Sequence, residues 1–381
     1  MDISKFTSTS PGRLIGIPIP EGEHAFIPNP LDAKWRLPDS LIEPLLVAQQ
    51  ALGTLDGAGR HMPNVELLMR PLRHREAIKS SSLEGTYASP EELALYEMDP
   101  RDPKSERDPA NAWREVFNYS EALVLGQTLL EEIPLSIRWI RELHKRLLRG
   151  VRGADKRPGE IRDTQVQIGS DARFVPPPPK ELSACLGDFE IYLNTDSKIP
   201  GLVRCFLAHY QFEAIHPFHD GNGRVGRLLL ALMFWSVMGL EKPWLYISSY
   251  FDQYRDEYID ALFNVSTKGD YESWLKFCLR GVSVVCEDSL RRMDSLIELR
   301  TEFCERITAA SGNARQIALV DHLFGSPVIT VPQVAEIYDV TYPTARNDID
   351  RFIDLGILKQ SSLQRRPTIY LAREILNTAH G

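Results

Sequence analysis

A dense group of polar and charged residues lies just past the middle of the chain, in the stretch HPFHDGNGRVGR at residues 216–227. It combines histidine, a carboxylate, a Gly-Asn-Gly turn and two arginines. A neutral imidazole can accept a proton from a hydroxyl, a carboxylate can hold a hard cation, and guanidinium groups bind phosphate. The stretch therefore predicts a phosphate-transfer site.

The glycines predict how this site would hold an anion. Gly221 and Gly223 allow a tight turn, and the apolar sequence RVGRLLLALMFW that follows predicts a helix. Free N–H groups and the positive end of the helix dipole meet at such an N-terminus. Arg224 and Arg227 are three residues apart, so they share a helix face near the anion. Two guanidinium groups beside an N–H nest suit a polyphosphate better than a single carboxylate.

The remaining polar residues complete the predicted chemistry. Asp220 would repel a phosphate unless it held Mg²⁺, so it is the predicted metal ligand. His216, fixed by Pro217, is the predicted general base. A Walker-type loop is excluded because no Lys-Ser/Thr pair follows the glycines and no strand clearly precedes them. A capped helix with surface arginines could explain any one of these residues, but not all of them in this order.

The stretch resembles the signature of the Fic family, HxFx(D/E)GNGRxxR, at every defined position. The resemblance implies a helical bundle that transfers AMP from ATP to a hydroxyl side chain of a target protein. It also implies that His216 deprotonates that hydroxyl and that Asp220 coordinates Mg²⁺. The positions that would hold the phosphates of ATP are Gly221, Asn222, Gly223, Arg224 and Arg227.

A second motif, SSSLEG at residues 80–85, matches the inhibitory pattern of the same family, [S/T]xxxE[G/N]. The resemblance implies that Glu84 pairs with Arg227 and denies that arginine to the γ-phosphate, with Ser80 and Gly85 completing the motif. On its own, Glu84 would be a helix-end carboxylate before a glycine C-cap. Beside the complete motif, we favour a self-inhibited enzyme whose inhibitory helix lies in the same chain.

Residues 150–180 contain two short apolar pieces, TQVQIG and RFV, followed by four prolines. They predict two strands joined by a turn. The family resemblance implies a flap that aligns a target segment by strand addition, although an ordinary surface hairpin is the alternative. Relatives often carry an aromatic residue in place of the second glutamine, so the choice of target is open. The predicted flap residues are Gln165, Val166, Gln167, Ile168 and Gly169.

The adenine pocket is less clearly marked. Tyr250 and Tyr258 lie in ISSYFDQYRDEYIDAL, in the region where relatives stack the base. Aromatic residues at helical spacing are also typical of a core, so packing is an equal alternative for both.

Helical periodicity runs from about residue 39 to 308, after a Pro- and Gly-rich start that predicts an extended arm on the surface. The predicted fold is mainly α: a Fic-type helical bundle with a short β-hairpin flap and a C-terminal winged helix-turn-helix domain. The predicted units are an N-terminal arm and inhibitory region (1–105), a catalytic core (106–285), a connecting helix (286–310) and the winged helix (311–381).

The predicted winged helix normally reads DNA with its second helix. That helix offers Arg346, Asn347 and Arg351, and the wing offers Arg365 and Arg366. However, seven Lys and Arg residues in this tail are balanced by seven Asp and Glu residues, whereas DNA binding favours a basic face. The sequence therefore favours protein contact or regulation as strongly as DNA binding for this domain.

Composition places the chain in a broad class. The 381 residues carry a net charge of −8, so no overall positive field recruits nucleic acid. Five cysteines without a CxxC spacing favour a reducing compartment. Without a signal core or a long apolar stretch, we expect a soluble cytoplasmic protein that has no membrane contact. The acidic, helix-rich surface permits a homodimer.

Two other functions stay open at this stage. Glu84 could position a water that hydrolyses an AMP–protein bond, which would make the protein a de-AMPylating enzyme. Alternatively, the protein could be a DNA-binding regulator whose Fic domain senses ATP. Neither the target protein, which could include the enzyme itself, nor its modified residue follows from the sequence.

Overall fold

The chain folds mainly into α-helices, as predicted. The computed structural model describes residues 1–18, 23–60, 66–105, 107–151, 155–169, 172–361 and 366–381. In chain order the helices are α1 (Ile42–Arg60), α2 (Glu66–Leu83), α3 (Pro90–Met98), α4 (Ala110–Glu132), α5 (Ile137–Leu147), α6 (Pro179–Asn194), α7 (Gly201–Ile215), α8 (Asn222–Met238), α9 (Ser248–Gln253), α10 (Arg255–Lys268), α11 (Tyr271–Ala309), α12 (Ala314–Gly325), α13 (Val331–Ile337), α14 (Tyr342–Asp354) and α15 (Arg373–His380). Within the described residues, no helix has both the length and the apolar composition of a membrane span.

Two small antiparallel sheets accompany the helices. The first pairs β1 with β2, and the second has the strand order β3-β5-β4. The strands are β1 (Gly12–Gly16), β2 (His24–Pro28), β3 (Val328–Thr330), β4 (Lys359–Gln360) and β5 (Ile369–Leu371). The predicted extended arm thus contains a β-ladder, which its Pro and Gly content concealed. The arm is anchored where the Phe26 N–H donates to the Val175 carbonyl at 2.9 Å.

Helix α8 lies at the centre of the core and carries the Gly-Asn-Gly sequence in and before its first turn. All residues from 228 to 234 are at most 3 % exposed. A helix that is apolar on every side must be enclosed, and α8 packs against α4, α5 and α7. The start of α8 therefore has a fixed position in the molecule.

In space, one end of helix α2 lies against α12, which is late in the sequence, and its other end lies near the start of α8. Near its beginning, Arg70 donates through Nη1 to the Gly325 carbonyl at the end of α12 (2.7 Å). Near its end, Ser82 donates to Asp252 Oδ1 of α9 (2.9 Å). The helix is followed by Gly85 at φ +79°, in the left-handed region that favours glycine.

The predicted flap is reduced to a single antiparallel bridge between Ile168 and Phe174, with N–H to carbonyl distances of 2.9 and 3.1 Å. For the described residues of the flap, the prediction of two paired strands was therefore wrong. The prolines that follow offer no N–H group to extend a ladder. Instead, the Gln165 side chain donates to the Pro176 carbonyl at 2.9 Å. The turn at residues 170–171 lies outside the described residues.

The C-terminal elements follow the predicted order of helix, helix and two strands in α13, α14, β4 and β5. The buried apolar side chains of α13 and α14 join the same continuous core as the central helices, whereas Ile369 and Leu371 of β5 form a separate cluster with α3. The wing turn, with Arg365, lies outside the described residues, and Arg366 is exposed. The assignment as a winged helix, like the domain boundaries, stays a prediction.

Helix α14, which would read DNA if the domain binds it, offers little free positive charge. Arg346 donates to the Tyr370 hydroxyl at 2.8 Å, and Arg351 donates to the Ala310 carbonyl. Asn347 is exposed. Two of the three α14 side chains offered for DNA contact are thus engaged in contacts within the chain.

Candidate active site

The loop between α7 and α8 is held in a defined conformation. His216, at its start, has φ +51°, which is uncommon for a residue other than glycine. At its end, Gly221 is the N-cap of α8 with φ +76°. Asn222 accepts the Phe218 N–H and donates to the Phe218 carbonyl, both at 2.8 Å. The Asn222 side chain therefore fastens the loop, while the backbone of the turn forms the helix N-terminus.

His144 of α5 supports this loop and was not identified from the sequence. Its ring stacks on Phe218 with centroids 3.8 Å apart. Nδ1 accepts the Gly159 N–H at 2.7 Å, so the proton is on Nε2, which lies 2.9 Å from the Asp220 carbonyl. Burial lowers the pKa of His144 to about 4, so the ring is neutral. A lone histidine on an apolar helix face gives no sequence signal for this role.

Arg162, also missed by the sequence, ties the base of the flap to the same loop. Its buried guanidinium donates to the His216 carbonyl (2.8 Å), the Thr164 carbonyl (3.1 Å) and the Pro177 carbonyl (2.5 Å). Burial lowers the pKa of Arg162 to about 10, which still leaves it charged at neutral pH. The flap base and the motif loop therefore share one cationic anchor.

His216 lines the main cavity of the site. Burial, followed by the charge of Arg162, lowers the pKa of His216 to about 4. The imidazole is therefore neutral at pH 7, the form in which it can accept a proton.

Residues at the end of α2 accept the hydrogen bonds that Arg227 donates. Nη2 of Arg227 donates to Glu84 Oε1 at 2.7 Å and to the Ser80 carbonyl at 2.9 Å, and Nε donates to Ser80 Oγ at 2.8 Å. Burial alone would raise the pKa of Glu84, but the charge and hydrogen bond of Arg227 outweigh it and lower the pKa below its usual value. Glu84 is thus an ionised partner of Arg227 at neutral pH.

The Glu84 carboxylate also lies on the first turn of α8. A Cβ atom built on Gly223 would come within 2.2 Å of Glu84 Oε1. The carboxylate therefore rests where helix geometry predicts an anion, and only glycine leaves room for it. A phosphate group and Glu84 would compete for the same position.

Arg224 has a different environment from the one predicted. It is only 1 % exposed, and its Nη1 donates to Glu115 Oε2 of α4 at 2.9 Å. Thr86, directly after the inhibitory motif, donates to the same oxygen at 2.9 Å. Arg224 does not line the cavity that Arg227 lines, and its guanidinium is paired with Glu115, so its role toward a phosphate stays a prediction. Glu115 lies in an ordinary amphipathic stretch, so the sequence gave no indication of this pair.

Asp220 lies at the edge of the site. Its Oδ1 accepts the Gly221 N–H at 2.6 Å and lies 3.7 Å from Arg224 Nη2. The side chain is 38 % exposed. The described part of the chain holds no group of three or more His, Cys, Asp or Glu side chains arranged for a metal.

A cavity of about 320 Å³ extends from Arg227 to the flap. Its polar end is lined by Glu84, Glu213, His216 and Arg227. Its apolar end is lined by the flap and α10, through Ile168, Gly169, Phe174, Ile259, Leu262 and Phe263. Of the other predicted flap residues, Val166 is half-buried and Gln167 is exposed.

The two candidate adenine residues lie in different places. Tyr258 lines the cavity, and its hydroxyl lies 2.8 Å from His209 Nε2. Tyr250 is buried against α11 and accepts a hydrogen bond from Arg280 Nε at 2.5 Å. It does not line the cavity, so its position supports core packing rather than base stacking.

Comparisons with known proteins match two regions of the chain to one family. Residues 42–128 match the model of the Fic/DOC family N-terminal region, and residues 134–234 match the Fic/DOC family model. Protein adenylyltransferase Fic of Drosophila yakuba is 34% identical over 155 residues, which is 40% of this chain and 29% of the relative. The relative of the same name from Culex quinquefasciatus is 35% identical over 145 residues, 38% of this chain and 27% of the relative. The chain thus spans less than a third of these relatives' length.

Solved structures show that the fold is shared. A Fic family protein from Desulfovibrio desulfuricans G20 superposes with a TM-score of 0.57 at 18% identity, over 90% of this chain and 98% of that one. Fic-1 from C. elegans (aa134–508) has a TM-score of 0.52 at 25% identity, over 66% of this chain and 73% of that one. The chain therefore carries the two Fic/DOC family domains, the N-terminal one over residues 42–128 and the Fic domain over residues 134–234.

Proposed function

We propose that the protein is a self-inhibited protein adenylyltransferase that moves AMP from ATP to a Ser, Thr or Tyr hydroxyl of a target protein. The observation that carries the proposal is the neutral His216 in a cavity that also meets the N-terminus of α8 and Arg227. A proton acceptor beside an anion site is the arrangement that group transfer at a phosphate requires, which supports the proposal.

In the productive state, His216 accepts the proton of the target hydroxyl. The free N–H groups at the start of α8 and Arg227 hold the triphosphate, which positions the α-phosphorus for attack. The apolar end of the cavity, including Tyr258, is the proposed pocket for the base. The flap bridge at Ile168 is the proposed docking edge for the target segment.

Mg²⁺ fits the donor set at the edge of the site. Asp220 offers one partly exposed carboxylate next to the proposed phosphate position. Mg²⁺ is commonly held by one or two carboxylates together with substrate phosphates and water. When bound, it would neutralise phosphate charge, and Asp220 is the residue proposed to hold it.

Self-inhibition is proposed from the contacts of α2. Glu84 and Ser80 occupy Arg227, and the Glu84 carboxylate rests on the first turn of α8. A γ-phosphate therefore cannot reach Arg227 until Glu84 has moved away. The wild-type protein is expected to transfer AMP slowly.

The test uses full-length protein with ATP labelled at the α-phosphate, Mg²⁺ and a cell lysate. Wild type should label proteins weakly, Glu84→Gly should label them strongly, and Glu84→Gly with His216→Ala should label none. Calorimetry with ATP runs in parallel, so that binding is measured independently of transfer. If Glu84→Gly binds ATP but labels no protein, including itself, the proposed activity is wrong.

AMP removal is the second candidate, because Glu84 lines the same cavity as His216 and could orient a water there. Protein labelled by Glu84→Gly provides the substrate. Loss of label with wild type but not with Glu84→Gly would favour this reaction. Binding of DNA by the C-terminal domain and formation of a homodimer are proposals without a supporting contact in the described residues.

A further inference from the structure

Glu213 lies in the last turn of α7, one helical turn before His216, outside both sequence motifs. It lines the same cavity as His216 and Arg227. Its Oε1 is buried without a hydrogen-bond partner among the described residues. A buried polar atom without a partner costs free energy, so the cavity contains an acceptor that the resting state does not use.

The Glu213 carboxylate lies directly against α8. A Cβ atom built on Gly226 would come within 2.1 Å of Glu213 Oε1 and 3.1 Å of its carboxyl carbon. Any side chain at Gly226 would displace this carboxylate. Gly226 immediately precedes Arg227, so the backbone brings the carboxylate close to the root of that arginine.

The carboxyl groups of Glu213 and Glu84 both act on the charge of the Arg227 guanidinium. Burial raises the pKa of Glu213 to about 7; the charge of Arg227 lowers it, and the charge of Glu84 raises it. Conversely, Glu213 is one of the groups that raise the pKa of Arg227. The charged or titratable side chains that line the cavity with Glu213 are Glu84 from α2, Arg173 from the flap, His216 from the loop, Arg227 from α8, and Arg255 and Tyr258 from α10, with Tyr210 on α7 itself.

We propose that Glu213 is a positioning residue for Arg227, which holds the guanidinium toward the γ-phosphate once Glu84 has left. The inference rests on the proposed function. Departure of Glu84 removes one acceptor from Arg227 and also removes the charge that hinders ionisation of Glu213. An arginine can bind a carboxylate along one edge and a phosphate along another, because its five donors form a planar fork.

The experiment measures ATP–Mg²⁺ affinity by calorimetry in the Glu84→Gly background, with and without Glu213→Gln. The substitution keeps the size of the side chain and removes its charge. At pH 8 we expect it to weaken binding on the order of tenfold, as for loss of a charged hydrogen-bond partner. As the pH falls through the pKa of Glu213 toward 5.5, its carboxyl group becomes protonated and as neutral as the glutamine, so the difference in ATP affinity should shrink.

A second variant guards against a local folding defect. Gly226→Ala in the Glu84→Gly background leaves Glu213 in place but displaces its carboxylate, and it should weaken ATP binding in the same direction. Thermal unfolding of each variant confirms that it is folded. Unchanged or tighter ATP binding by folded Glu84→Gly, Glu213→Gln protein at pH 8 would overturn the positioning role. This result is independent of whether AMP is transferred, which tests the proposed function separately.

Discussion

The two arginines of the motif lie one helical turn apart but have contrasting partners. Arg224 and Glu115 are 1 % and 4 % exposed, and both belong to long helices of the core. Arg227 is also buried, at 3 %, but its partner Glu84 is 37 % exposed and follows the last residue of a helix. Breaking a buried pair leaves an unpaired charge in the interior, whereas an exposed carboxylate can leave for water. The first pair is therefore enclosed in the core, whereas the carboxylate of the second pair reaches the surface, as the proposed self-inhibition requires.

The largest expected effect comes from breaking the enclosed pair. Glu115→Ala leaves Arg224 buried without this partner and should lower the free energy of unfolding by about 3–5 kcal/mol. Glu84→Ala is the matched comparison and should lower it by less, because the buried Arg227 keeps its two hydrogen bonds to Ser80 and lines the cavity. Urea unfolding measures both, and equal losses would show that the two pairs do not differ in kind.

The next effect concerns nucleotide affinity. Glu84→Gln keeps the size of the side chain but removes the charge that competes with phosphate, so ATP affinity should rise on the order of tenfold. Calorimetry of the full-length protein with ATP and Mg²⁺ checks this. An affinity that is the same as that of wild type would mean that Glu84 does not exclude the nucleotide.

A smaller effect is expected at Ser80. Ser80→Ala removes the hydroxyl that accepts the Arg227 Nε–H, so the resting contact loses about 1 kcal/mol and ATP affinity rises about fivefold. Ser82→Ala is the control, because that hydroxyl bonds to Asp252 on the other side of α2. A larger gain from Ser82 than from Ser80 would show that the whole helix end, rather than the contact with Arg227, controls binding.

The smallest effect is expected from pH. The pKa of Glu84 is lowered, so the pair with Arg227 is complete above the usual value of 4.5 and is lost only as the pH falls through the lower pKa of the folded state. The ratio of ATP affinities between Glu84→Gln and wild type should thus change less than about twofold from pH 6 to 8. Both proteins carry Glu213→Gln, so that this second carboxyl group does not titrate. A steep change would show that Glu84 is not ionised at rest.

The sequence predicted the parts of the site that are local. The motif loop and the inhibitory helix end are each continuous in the chain, and the helical pattern around them was strong enough to locate α2, α7 and α8. His144, Arg162 and Glu115 come from three other segments and reach the motif only after folding. Nothing in their immediate sequence distinguishes them from ordinary helix or loop residues.

Other features that the local sequence could not decide have the same origin. Tyr250 and Tyr258 have equivalent aromatic spacing, and only packing decides that one faces α11 and the other faces the cavity. Arg224 was assigned to phosphate because it shares a helix face with Arg227, but its partner lies 109 residues away in the chain. The flap was expected to form two strands, yet the prolines leave it with one bridge.

Helix α2 joins two distant parts of the molecule. Arg70 near its start is bonded to the end of α12, and Ser80 near its end is bonded to Arg227. At 1.5 Å per residue, the ten residues between them span about 15 Å of continuous helix. Because one continuous helix carries both contacts, a displacement of α2 would alter the hydrogen bonds at α12 and at Arg227 together.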